Sequence, residues 1–228
     1  EKELFDEVHD MRGRIILPGL INTHTHAAMS LLRGYADDLP LQQWLEEKMW
    51  PKEAQFTDRE VYWGSALSIL EMIKSGTTCF ADMYDHMDQV ARVVEESGIR
   101  ASLARGVIGY GDPNEVRGKI KEMEQFARDF QGAAGGRITT MVSPHAIYTC
   151  PLSVIEQIIG ISGELSLPIH THLSETKKEV QDCLAEYGKS PVMLLYELGF
   201  FERPTLAAHV VHVSEEELDV LAEYQVSV

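Results

Sequence analysis

His24 and His26 stand one residue apart at the end of an apolar run, Arg14-Ile15-Ile16-Leu17-Pro18-Gly19-Leu20-Ile21. The run is short and rich in Ile and Leu, so it predicts a buried strand. Side chains alternate along a strand, so both imidazoles project to one side at its carboxyl end. Two imidazoles one strand step apart can reach a single metal ion; the plainer alternative is two polar residues where a strand meets a loop. A second stretch, Pro168-Ile169-His170-Thr171-His172-Leu173-Ser174-Glu175, again places two histidines, His170 and His172, on one face. Glu175 falls at the turn that follows, where a carboxylate can exchange protons with a metal-bound water. Alone it would be an ordinary acidic residue near a helix amino terminus. His209 follows Leu206-Ala207-Ala208 and reads either as a site base or as a satisfied core residue. His212, three positions on, is off that strand face and reads as structural. Asp82 and Asp85 read as a helix cap and a solvated charge, and Trp44 and Trp50 as loop packing.

The elements that must position these groups alternate in type. After the first strand, short helices are expected near 29–34 and 41–49. Thr57-Asp58-Arg59-Glu60 is a capping box opening a helix that Gly76 stops. Strands are predicted at 78–83, 100–105, 137–143, 167–172 and 205–210, with helices at 87–97, 113–130, 151–165, after a capping box at Thr176-Lys177-Lys178-Glu179, after Ser190-Pro191, and after a third box at Ser214-Glu215-Glu216-Glu217. A seventh strand begins at 225–228. Strand then helix, six times over, implies an α/β fold with a parallel sheet. An open doubly wound sheet would favour a glycine-rich phosphate loop after its first strand; His24 and His26 stand there instead. The expectation is therefore a (β/α)₈ TIM-type barrel, incomplete in this chain at six to seven units, over residues 14–228. Every histidine but His9 falls at or just past a predicted strand end, the face on which such barrels carry their sites.

Composition bounds the function. The 228 residues are 44% hydrophobic and 25% charged, a globular profile. No apolar run approaches the roughly 18 residues of a membrane span. A formal charge of −16 repels phosphate backbones, which argues against a nucleic-acid partner. Three scattered cysteines argue against a disulfide framework and for a reducing, cytoplasmic setting.

These residues together resemble the amidohydrolase superfamily, in its 5′-methylthioadenosine/S-adenosylhomocysteine deaminase branch. The matching segments are PGLINTHTHAAMSLLRGYADDLPLQQWLEEKMW (18–50), SPHAIYTC (143–150), HTHLSE (170–175) and LAAHVVH (206–212). The resemblance implies that His24, His26 and His172 are metal ligands, with one divalent ion, Zn²⁺ first, per subunit. It makes Glu175 the proton shuttle and His209 the residue that orients the attacking water. It sets Glu53 on the ribose hydroxyls, His145 on the purine, and Arg105 and Arg117 on an amino-acid carboxylate. The implied reaction is hydrolytic deamination of S-adenosylhomocysteine, 5′-methylthioadenosine or adenosine to the inosine derivative and ammonia, in a homo-oligomer. The family's remaining ligand, an aspartate ending the eighth strand, has no counterpart here, and residues 1–13 match only a remnant of its small β-domain. By itself the chain is therefore expected to be inactive. Three rivals stand beside this reading. One is a sister deaminase or dechlorinase acting on guanine, cytosine or triazines. A two-metal cyclic amidase is disfavoured because Met141-Val142-Ser143-Pro144-His145 lacks a bridging lysine. The third is a non-catalytic fragment.

Overall fold

The computed structural model describes residues 6–228. Of the expected remnant at 1–13, residues 1–5 lie outside the described residues, and 6–13 form no strand. Six strands follow: β1 Leu20–Thr25, β2 Thr77–Tyr84, β3 Arg100–Val107, β4 Ile138–Pro144, β5 Ile169–Leu173 and β6 Thr205–His209. All pair in parallel, each with its sequence neighbour. Parallel neighbours require crossovers, and helices supply them: α1 Asp58–Lys74, α2 Met87–Ser97, α3 Pro113–Phe130, α4 Leu152–Leu165, α5 Lys177–Tyr187, α6 Pro191–Glu197 and α7 Glu215–Glu223. Beyond α7, Ser227 pairs in parallel with Leu206, the start of the expected seventh strand.

The sheet curls into a nearly closed barrel. In a flat sheet β1 and β5 would lie roughly 19 Å apart, four strand spacings. Here Nδ1 of His24 on β1 is 3.1 Å from Nε2 of His170 on β5. Small side chains fill part of the concave side, where Ala81, Ala104 and Met141 pack together with Leu206. The convex side packs against the helices in two apolar groups, one around Phe80, Val90, Val94 and Leu103, the other around Ile155, Ile158, Ile169 and Phe200. Local chemistry sets the element ends. Thr57 and Glu60 form a reciprocal cap on α1, as Ser214 and Glu217 do on α7. Gly98 ends α2 at φ 79°, a left-handed conformation glycine adopts without steric cost.

Two local expectations are corrected. The first strand does not begin at Arg14: residues 14–19 are irregular, and Ile15 and Leu17 are 85% and 77% exposed. Proline lacks the N–H a ladder needs, and β1 pairs only with β2 among the described residues, so Leu20 and Ile21 are exposed as well. The second correction concerns Thr176-x-x-Glu179. Thr176 Oγ1 accepts the Glu179 N–H at 3.1 Å, as a cap should. The Glu179 carboxylate instead reaches further back, to the amides of Ser174 and Glu175.

Candidate active site

The strand ends converge on a cavity of about 690 Å³. His24 and His26 reach it from β1, His145 from the end of β4, His172 and Glu175 from β5 and its turn, and His209 from β6. Ring centroids of His24 lie 4.9 Å from those of His26 and His172, and 5.2 Å from that of His209. One ring nitrogen each of His24, His172 and His209 falls within 4.8 Å of the others. Nε2 of His26 lies 3.2 Å from Nε2 of His172.

The tautomers of two of these rings follow from their partners. Nδ1 of His26 is 2.6 Å from the Met83 carbonyl, and Nδ1 of His172 is 2.8 Å from the His145 carbonyl. A carbonyl only accepts, so each Nδ1 carries the proton and donates it. In the neutral form that ligation requires, the two Nε2 lone pairs face each other across 3.2 Å. Ligand nitrogens about 2.0–2.1 Å from a tetrahedral ion stand about 3.3 Å apart. The pair is thus spaced for one shared cation, which also removes the repulsion between the lone pairs. His24 is tied through Nδ1 to His170 Nε2. Outer partners of this kind orient metal-binding histidines. Among the described residues His209 has no such tie; its Nε2 instead lies 3.7 Å from the Glu175 carboxylate.

Electrostatics agree with ligation, which needs neutral imidazole. Burial first, then the neighbouring imidazoles, holds His24 down to about 3. Burial likewise holds His145 and His170 at about 3, and His172 well below the usual histidine range.

The remaining sequence-derived residues divide. Glu53 lines the cavity, accepts a hydrogen bond from the Tyr84 hydroxyl, and has its carboxyl raised above the ordinary range chiefly by burial. His145 lines it, with Nδ1 2.9 Å from Thr149 Oγ1. Arg105 lines it and is paired with Asp85 at 3.1 Å and Glu122 at 3.0 Å. Arg117 is not brought to the cavity. It stands on the exposed side of α3, bonded to Asn114, because Val116 and Ile120 take the face turned to the core. Lys119 reaches the cavity wall instead.

Trp44 and Trp50 also line the wall. Asp82 is neither cap nor solvated: it is fully buried, and Oδ1 accepts from Thr25 Oγ1 at 2.8 Å and Ala27 N–H at 2.9 Å, bracketing His26. Asp85 is as expected, an exposed charge accepting the N–H of His86 ahead of α2. The sequence alone does not reveal His170 as a partner of His24, nor Tyr148 and Lys119 as cavity residues. For His170 a signal was present, since it shares the strand face of His172.

The amidohydrolase family profile matches residues 15–228. A 5-methylthioadenosine/S-adenosylhomocysteine deaminase of Syntrophomonas wolfei is 53% identical over 225 residues, 98% of this chain and 52% of that protein. One from Dictyoglomus turgidum is 52% identical, over 99% of this chain and 53% of its own length. The crystal structure of an adenosine deaminase from Xanthomonas campestris with bound zinc superposes with a TM-score of 0.83 at 35% identity, covering 92% of this chain and 48% of that one. The chain spans about half the length of the curated relatives it matches.

Proposed function

The chain belongs to the amidohydrolase family, and from that premise we propose that its site serves metal-dependent hydrolytic deamination of an adenosine derivative. The candidates are S-adenosylhomocysteine, 5′-methylthioadenosine and adenosine, each giving the inosine derivative and ammonia. The observation that carries the reading is the pair of anchored Nε2 atoms of His26 and His172, 3.2 Å apart beside Glu175 and His209. The metal ligands in this reading are His24, His26 and His172, each tied through Nδ1. The donor set suits Zn²⁺. When bound, such an ion supplies Lewis acidity and lowers the pKa of its water toward about 7.

The chain's own residues do the rest. Glu175 carries the proton released by the attacking water to the ring nitrogen beside the amino-bearing carbon, general acid–base work typically worth about 10² to 10⁴-fold. His209, 3.7 Å away, holds the oxygen of that water. His145 contacts the purine. Glu53, fixed by Tyr84, takes the ribose hydroxyls. Arg105 meets the tail of the substrate, and Lys119, in the wall where Arg117 is not, is the second cation available to a carboxylate there. A small heterocycle such as guanine, cytosine or a triazine has neither the ribose hydroxyls assigned to Glu53 nor the tail assigned to Arg105, so these two assignments go with a nucleoside.

The test uses the full-length protein with measured metal content and follows ammonia release from the three adenosine derivatives and from guanine and cytosine. Turnover confined to the adenosine derivatives and lost on chelation is expected. Turnover of guanine or cytosine alone, or turnover indifferent to chelation, sinks the reading.

A further inference from the structure

Glu179 is a carboxylate only 2% exposed, on the first turn of α5, and it does not line the cavity. Burying a charge is costly unless hydrogen bonds replace its water. Its Oε1 accepts the Ser174 N–H at 2.9 Å and its Oε2 the Glu175 N–H at 2.8 Å. Capping α5 is work that Thr176 already does. What the carboxylate holds lies upstream of the helix, in the turn that aims Glu175.

That turn also carries the next strand end. The Ser174 carbonyl accepts the N–H groups of Val211 at 3.1 Å and His212 at 2.9 Å, and the Leu173 carbonyl accepts that of Val210 at 2.9 Å. Three residues of this junction adopt the left-handed region although none is glycine: Ser174 at φ 51°, His209 at φ 79° and Val210 at φ 49°. Such conformations persist only where surrounding bonds determine them. One buried carboxylate therefore sits behind both the Glu175 turn and, through Ser174, the segment that presents His209.

We propose that Glu179 is a positioning residue that sets the Glu175 carboxylate and the His209 ring at their working separation. The inference rests on the proposed roles of those two residues. Glu179 touches neither substrate nor metal, so its removal acts on the chemical step and spares binding.

The experiment compares Glu179→Gln with wild type in the full-length, metal-loaded protein. Gln keeps the shape but turns an N–H₂ toward one of the two amides. The expected result is a fall in kcat of about 10- to 100-fold, the scale seen when an outer support is lost or a reacting group is displaced by about 1 Å. KM and metal content stay within about twofold, and hydrogen exchange at the Ser174 and Glu175 amides quickens. If Glu179→Gln does not fold, Glu179→Asp is measured the same way, since it keeps the charge and loses one methylene of reach. Unchanged kcat with unchanged exchange overturns the proposal. So does a loss of kcat with normal exchange at those amides, which marks a general structural defect. Glu175→Gln, measured beside it, separates the two levels. Full turnover in that variant removes Glu175 from the chemistry, whereas exchange at Ser174 and Glu175 still reports on the Glu179 clamp.

Discussion

The tripeptide His-Thr-His occurs on β1 and again on β5, and the two copies do different things. On β1 both histidines reach the cavity; on β5 only His172 does, while His170 lies beneath, fully buried against Nδ1 of His24. Their strands differ in setting. Among the described residues β1 pairs on one side alone, with exposed Leu20 and Ile21, whereas β5 lies between β4 and β6 with every residue buried. The same motif thus gives two cavity imidazoles in one place and, in the other, one cavity imidazole and one that supports a neighbour.

The sharpest test of that difference is loss of a cavity imidazole. His172→Ala in the full-length protein should weaken metal retention by more than about 100-fold, beyond the range for an outer partner, and bring turnover to background; metal analysis by mass spectrometry reads the first, ammonia release the second. Retained stoichiometric metal would break the ligand assignment. Next, Glu175→Gln should lower kcat by about 10² to 10⁴-fold with metal retained, and concurrent loss of metal would show that Glu175 is part of the binding set. The third is the β5 partner itself. His170→Ala should weaken metal binding by about 10- to 100-fold without abolishing it, measured by competition with a chromogenic chelator. A loss as complete as that of His172→Ala would make the two tripeptides equivalent and end the distinction.

Stability should also depend on pH. His24, His145 and His170 are held at about 3 in the fold against about 6.5 unfolded. The unfolded chain thus binds more protons between those values, so stability rises with pH there and is lost as pH falls from about 6.5 toward 3. Urea unfolding of the metal-free protein between pH 7.5 and 5 should show a decline on the order of a few kcal/mol. A flat profile would mean that these rings are not buried neutral.

Much of this was legible in the sequence, for identifiable reasons. Helices announce their ends through side chains that act within one turn, so Thr57, Asp112, Ser190 and Ser214 mark real caps. Strand ends could be placed because an apolar run stops there, which located six strands and the imidazoles at their tips. What stayed hidden depends on depth and reach. Asp82 looks like any acid near a strand end until the packed sheet buries it against Ala27. Glu179 matches a capping box by spacing, and only the packed turn shows its carboxylate bound upstream. Arg117 and Lys119 are two positions apart, and the pitch of α3 alone decides which one faces the cavity. The exposed start, Ile15 to Leu17, reads as core because periodicity reports apolarity and not what covers it.

The left-handed backbone at Ser174, His209 and Val210 bears on how this site could be altered by selection. Each such residue costs of order 1–3 kcal/mol, most plainly the β-branched Val210. Glycine at any of the three removes that cost and frees the junction. A screen for heat-resistant variants would be drawn to these positions, and a screen for turnover would reject the same substitutions. The two pressures meet on one short junction between β5 and β6, where rigidity and strain are inherited together.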